Sequence, residues 1–228
     1  MEQTYLIKMN KVIHQIWLGG EMPEKFKNYT QTWKNLNPDF EIKVWSEKEL
    51  LNLNLENEEL FNTPNMSFSE KSDIARYELL YKFGGVYCDT DFLPLKPINE
   101  FLEQFKENVL TFKIKGCLGT VGAILISKEP HNEIFKDLIM SLPENYKNNI
   151  DKGVLRRCGP VYLDNILSKH EGKFLSLGNE YFYPYGPRNP DRKIFESMSY
   201  DELKLTFPKA IAVHQWTGSW LKKNVKQL

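Results

Sequence analysis

Two aspartates one residue apart, Asp89 and Asp91, are the groups in this 228-residue sequence best placed to do chemistry. Carboxylates that close repel one another, and burying both is costly unless a cation lies between them. Hard oxygen ligands suit Mn²⁺ or Mg²⁺, ions that keep several waters and also bind substrate phosphates. Asp73 and Arg76 stand three residues apart upstream, which puts them on one face of a helix. Such a pair is either an exposed ion pair contributing under about 1 kcal/mol or a polar grip. In the second case Asp73 accepts hydrogen bonds from sugar hydroxyls while Arg76 offsets developing negative charge. Near the other end, His214 is either structural or the imidazole that completes a metal shell. The Ser219 hydroxyl and the Trp220 indole N–H beyond it are donors suited to a diphosphate. Trp17 offers a large rigid π-face that either stacks on a nucleotide base or fills the core.

The elements that must position these groups are legible around the aspartate pair. Ser67 and Glu70 have capping-box spacing, and Ile74, Tyr77, Leu80 and Tyr81 recur as one apolar stripe of a helix. Gly84-Gly85 stops that helix, and Val86, Tyr87 and Cys88 make a short buried strand that Pro94 and Pro97 keep from running on. Asp89 and Asp91 then emerge on one side of extended backbone at a strand's C-terminal end, where α/β sheets bind ligands. Ahead of this, 11–20 (KVIHQIWLGG) reads as a first strand and a glycine turn, without the G-x-G-x-x-G fingerprint. A helix over 24–35, a strand over 41–45 and a short helix from Ser46 to Leu51 follow. Further on come a helix at 100–105, strands at 109–112 and 123–127, a helix over 131–140 and another after Gly159-Pro160. The last strand is expected at 210–213, with His214 just past it. The three glycines of 116–127 are candidates for a second, acceptor-side wall. The aromatic cluster YFYPY at 181–185 is expected to pack rather than bind. Alternating strands and helices predict α/β architecture with a mostly parallel sheet.

Composition bounds the rest. Hydrophobic residues are 41% and aromatics 13%, so the chain folds, most simply as one domain. Thirty basic and thirty acidic residues balance, which leaves no basic footprint for nucleic acid. Three widely spaced cysteines, Cys88, Cys117 and Cys158, fit a reducing compartment and give no metal-site spacing. The first residues lack an apolar signal-peptide core, so the expectation is a cytoplasmic protein. Its basic tail LKKNVKQL would support weak peripheral association with the inner face of a membrane.

Four stretches together resemble a known family: HQIWLGG at 14–20, NPDFEIKVW at 37–45, SDIARYELLYKFGGVYCDTD at 72–91 and HQWTGSW at 214–220. In this order they are similar to the retaining glycosyltransferases of family 32, whose sugar-binding region carries a DXD motif. In size the chain looks like the bacterial members that build capsular or surface polysaccharides. The catalytic domains of the clostridial glucosylating toxins resemble it more distantly.

The resemblance implies a Rossmann-like GT-A fold in a single domain. Residues 10–97 would bind the nucleotide sugar, 98–208 would form the acceptor side, and 210–220 would bind metal and phosphate. It implies Mn²⁺ (or Mg²⁺) and a UDP-sugar carrying galactose or glucose, with GDP-mannose as second choice. The acceptor would be a hydroxyl of a glycan or lipid-linked oligosaccharide. Trp17 would stack on the base while the backbone of Ile16 and Leu18 reads its edge. Asp73 and Arg76 would hold the sugar, Asp89 would touch ribose and sugar, and Asp91 with His214 would ligate the metal. Ser219 and Trp220 would meet the diphosphate. No covalent nucleophile stands out, so a retaining outcome would require front-face transfer. Two other classes remain open on the residues alone: a metal-dependent phosphohydrolase, and a nucleotide-sugar-binding protein without catalysis.

Overall fold

The computed structural model describes residues 9–114 and 116–218. The first strand, β1 (Val12–Ile16), is followed by α1 (Glu24–Leu36), β2 (Glu41–Trp45), α2 (Glu47–Leu51), α3 (Glu58–Phe61) and the long α4 (Phe68–Phe83). Next come β3 (Gly85–Cys88), β4 (Phe92–Pro94), α5 (Asn99–Glu103), β5 (Val109–Phe112), β6 (Val121–Ser127) and α6 (Glu133–Asn148). The chain continues with α7 (Val154–Arg157), α8 (Pro160–Leu167), β7 (Leu175–Leu177), α9 (Arg192–Ser197), α10 (Tyr200–Thr206) and β8 (Ala212–His214).

Six strands form one sheet in the order β2-β1-β3-β6-β5-β7, and β4 pairs with β8 in a separate ribbon. Strands β2, β1 and β3 run parallel, as do β5 and β7, whereas β6 is antiparallel to both of its neighbours. The mostly parallel sheet is therefore as expected, with one reversed strand that simple βαβ alternation does not produce. Along β1 the side chains alternate between two cores. Ile16 joins the layer built by α4, α6 and α8, while Ile13 joins Trp33, Phe101 and Phe182 on the other face. The expected packing role of the aromatic cluster holds: Phe182 and Tyr183 are fully buried there.

Helix α4 carries the predicted capping box. Ser67 Oγ accepts from the Glu70 N–H, and Glu70 reaches back to the Ser67 N–H. The single apolar stripe is corrected, because every residue from Asp73 to Leu80 is buried. With the sheet on one side and α6 on the other, α4 lies inside the protein and has no solvent face through its middle turns. Gly84 caps it at φ 64°. Gly85 starts β3 at φ 88°, where a Cβ would stand 2.6 Å from the Val12 carbonyl oxygen. Helix α6 runs past the expected stop at 140, straight through Pro143. Proline lacks the N–H that would bond Ile139 O, and Asn57 Nδ2 donates to that carbonyl instead at 3.1 Å. The last strand is shifted to Ala212–His214, so His214 is part of it.

His14 on β1 faces α4 from a buried position. Its Nε2–H donates to the Gly84 carbonyl at 3.0 Å, and its Nδ1 accepts from the Trp45 indole N–H at 3.1 Å. Adding a proton to Nδ1 would oppose two N–H groups. Burial depresses the imidazole to about 4 from 6.5, with the Gly84 bond acting weakly the other way. The unfolded chain therefore takes up this proton first as pH falls. Stability is full above about 6.5 and decreases toward 4, by roughly 3 kcal/mol from this group. Urea denaturation from pH 7 to 4 should show that loss, and His14→Gln should remove most of the slope while lowering stability at pH 7. An unchanged slope would assign the acid sensitivity elsewhere.

Candidate functional site

A cleft of about 470 Å³ opens where β1 and β3 end and the antiparallel β6 begins, and it collects nearly all the predicted groups. Ile16, Trp17, Leu18, Asp73, Arg76, Asp89, Asp91 and His214 all line it. Ser219 and Trp220 lie outside the described residues. Trp17 follows β1, and its N–H is tied to the Trp45 carbonyl at 3.0 Å. The indole N–H turns back to Gly20 O at 3.1 Å, and its ring sits 5.3 Å from that of Phe26. Trp17 is thus a half-buried wall of the cleft and not a core side chain.

The Asp73–Arg76 pair is buried, at 9% and 7% side-chain exposure, and its separation is 3.1 Å. That removes the exposed ion-pair reading. The guanidinium also lies 3.5 Å from Asp89 Oδ1 and 4.6 Å over the Tyr87 ring. Burial, opposed by Arg76, lifts the Asp73 carboxyl to about 7, and burial likewise raises Asp89. Arg76 keeps its charge, with Asp73 and Asp89 opposing the cost of burying it. Gly122 on β6 supplies the space for this arrangement, since a Cβ there would stand 2.8 Å from Arg76 Nη1. At the start of α4, Glu70 accepts from Arg157 Nε at 2.8 Å and from Tyr146 at 3.0 Å. These bonds hold the 154–160 wall, whose Val154, Leu155 and Pro160 line the cleft opposite.

The two aspartates do not project from one continuous strand. The chain turns after Cys88, with the Phe92 N–H on Asp89 O at 3.3 Å, and resumes as β4 against β8. Asp89 therefore faces Arg76 of α4, and the Tyr87 hydroxyl of β3 donates to its Oδ1 at 2.6 Å. Asp91 faces the C-terminal ribbon. Its Oδ1 lies 2.9 Å from His214 Nε2, and its Oδ2 accepts from the Thr217 N–H at 3.0 Å and the Thr217 hydroxyl at 2.9 Å. Burial works to raise Asp91, but His214 and the Thr217 donors outweigh it and hold the carboxyl at about 2.

Asp89, Asp91 and His214 each present one ligand atom, and these atoms all lie within 4.8 Å of one another. Adjacent ligands on an octahedral ion with bonds of about 2.1 Å are about 3 Å apart, which the 2.9 Å Asp91–His214 edge matches. The His214 ring is caged by Phe92 at 4.6 Å and Trp216 at 4.2 Å, and its Nδ1 is buried without a hydrogen-bond partner among the described residues. Only Nε2 is thus turned toward the carboxylates. Two carboxylates with one imidazole are a donor set that a divalent cation fits, Mn²⁺ better than Mg²⁺ because of the nitrogen.

Three contributors escaped the sequence reading: Tyr87, taken as strand bulk, Thr217, and Arg192 of α9, which also lines the cleft. Tyr87 and Thr217 sit inside the very stretches singled out. Arg192 carries no local signal.

The fold is of the GT-A glycosyltransferase type. The PaToxG glycosyltransferase has the same arrangement, with a TM-score of 0.61 at 18% identity over 72% of this chain and 70% of that one. Residues 23–107 match the family model described as the glycosyltransferase sugar-binding region containing DXD motif. Inositol phosphoceramide mannosyltransferase 3 of Schizosaccharomyces pombe is 34% identical over 84 residues, covering 36% of this chain and 24% of the relative. Lactosylceramide 4-alpha-galactosyltransferase of Gorilla gorilla gorilla is 30% identical over 156 residues, covering 64% and 44%. The chain thus spans less than half the length of either relative. Among the described residues no helix is long and apolar enough to cross a membrane.

Proposed function

We propose that the chain is a metal-dependent retaining glycosyltransferase that moves a hexosyl group from a nucleotide diphosphate sugar to an acceptor hydroxyl. The observation that carries this reading is the convergence in one cleft of Asp89, Asp91 and His214 with the buried Asp73–Arg76 pair. Trp17 offers its face to the donor base, and the Ile16 and Leu18 backbone reads the base edge. Asp73 accepts from sugar hydroxyls, and Arg76 beside it offsets negative charge developing on the departing diphosphate. Asp89 contacts ribose and sugar. Asp91, Asp89 and His214 hold the cation, whose chemistry is to neutralise charge on the departing diphosphate. With no carboxylate nucleophile assigned, the reaction proceeds by front-face transfer through an oxocarbenium-like state.

UDP-galactose and UDP-glucose are the first donors to test. GDP-mannose moves level with them, since one relative is named a mannosyltransferase and another a galactosyltransferase. Both names carry a ceramide lipid as acceptor, which favours a lipid-linked glycan hydroxyl here over a free one, in polysaccharide or glycolipid assembly. A donor screen should find one nucleotide sugar whose diphosphate is released with Mn²⁺ and not with EDTA, faster when acceptor is present. NMR of the product should show a retained anomeric configuration. Release of inorganic phosphate without acceptor dependence would instead identify a phosphohydrolase.

A further inference from the structure

The loop after β8 must bring two groups, three residues apart, onto the two oxygens of one carboxylate. His214 reaches Asp91 Oδ1, and Thr217 reaches Asp91 Oδ2. The chain accomplishes this by placing Trp216 at φ 48°, a left-handed conformation. For a bulky residue that conformation costs about 1–2 kcal/mol and persists only where surrounding contacts enforce it. Three contacts do so. The Gln215 N–H bonds Asp91 O at 2.9 Å, and the Trp216 indole N–H bonds Tyr185 O at 2.9 Å. The third is Arg192, whose Nη2 donates to Trp216 O at 2.6 Å and to Gln215 O at 3.4 Å. Its Nε is tied to Glu196 at 2.5 Å, which aims the guanidinium at the loop.

We infer that Arg192 is a positioning residue for the metal centre: it fixes the left-handed turn at Trp216 and thereby sets His214 and Thr217 on Asp91. The two carbonyls it binds belong to the residues between those two groups, so the peptide planes that orient them are the ones it clamps. The cleft offers no substitute among the described residues, because the other arginine lining it, Arg76, is committed to Asp73 and Asp89. This inference rests on the metal-dependent reading above, and the test separates the two.

Free Mn²⁺ is titrated by electron paramagnetic resonance against the full chain, with and without UDP, for the wild type, Arg192→Met, Arg192→Lys and Asp91→Asn. Arg192→Met should weaken Mn²⁺ binding about tenfold, the scale at which outer partners of metal ligands act. UDP binding in EDTA should stay within about twofold. Arg192→Lys, which keeps one donor toward the Trp216 carbonyl, should fall between. Raising Mn²⁺ should restore most of the Arg192→Met activity, appearing as a shift in the metal requirement with kcat largely regained. Wild-type binding lost in Asp91→Asn but unchanged in Arg192→Met overturns this inference alone. Absence of Mn²⁺ binding by the wild type, with and without UDP, overturns the metal-dependent reading and this inference with it.

Discussion

Asp91→Asn is expected to reduce metal-dependent release of the nucleotide diphosphate by about a thousandfold or more while leaving the protein folded. Asparagine has the shape of aspartate, so packing at this 9% exposed position is kept. Its charge is not. The carboxylate accepts from the Thr217 N–H and hydroxyl at Oδ2 and meets His214 Nε2 at Oδ1. An amide oxygen can keep the Thr217 side, but the amide N–H₂ then faces His214 and offers no lone pair to a cation. The remaining set, Asp89 and His214, has one negative charge for a divalent ion. Losing a single well-placed electrostatic contact typically costs a hundred- to a thousandfold in rate, and loss of a direct ligand reaches the upper end. Stability moves less, because removing Asp91 also relieves its repulsion of Asp89. The assay is donor turnover with Mn²⁺ beside circular dichroism and a Mn²⁺ titration. A folded Asp91→Asn keeping a tenth of wild-type turnover would remove Asp91 from the metal.

Why these residues were legible, and others were not, follows from the range of the forces involved. The capping boxes at Ser46–Glu49 and Ser67–Glu70 are three-residue devices, so the sequence alone places the starts of α2 and α4. The same device at Ser199–Glu202 opens α10, so that helix start is equally local in origin. β4 is three residues long and exists because β8 pairs with it about 120 residues later, Phe92 against His214. No local pattern encodes that, yet this ribbon is what carries His214 to Asp91. Arg192 is harder still. Its role comes from two carbonyls contributed by a loop 23 and 24 residues away, and main-chain acceptors leave no trace in residue type. The acidic pair was found because its chemistry is written in side chains. Its division of labour, Asp89 toward Arg76 and Asp91 toward His214, depends on a turn that only the folded chain displays.

The largest structural effect is expected from Arg76→Met, which should unfold at a melting temperature lower by roughly 10 °C. Methionine fills similar volume and keeps the contact with the Tyr87 ring, so the loss is one of charge. Arg76 is the cation between Asp73 at 3.1 Å and Asp89 at 3.5 Å, and both carboxyls are already raised by burial with it present. Removing one member of a buried pair leaves an uncompensated charge and costs about 3–5 kcal/mol. In a chain of this size each kcal/mol corresponds to a shift of about 2–4 °C. The pH dependence identifies the cause. With Arg76 gone, the folded-state pKa values of Asp73 and Asp89 rise further above their unfolded values. The native state then holds protons that the unfolded chain has lost, and stability falls as pH rises through that interval. The deficit of Arg76→Met relative to wild type should therefore be largest at pH 8 and shrink steadily toward pH 5. Asp73→Asn placed on top of Arg76→Met should recover part of it, since one of the two stranded charges is then removed. A deficit that stays constant from pH 8 to 5, unaffected by the second substitution, would mean that Arg76 stabilises through packing and that its charge is not what the aspartates require.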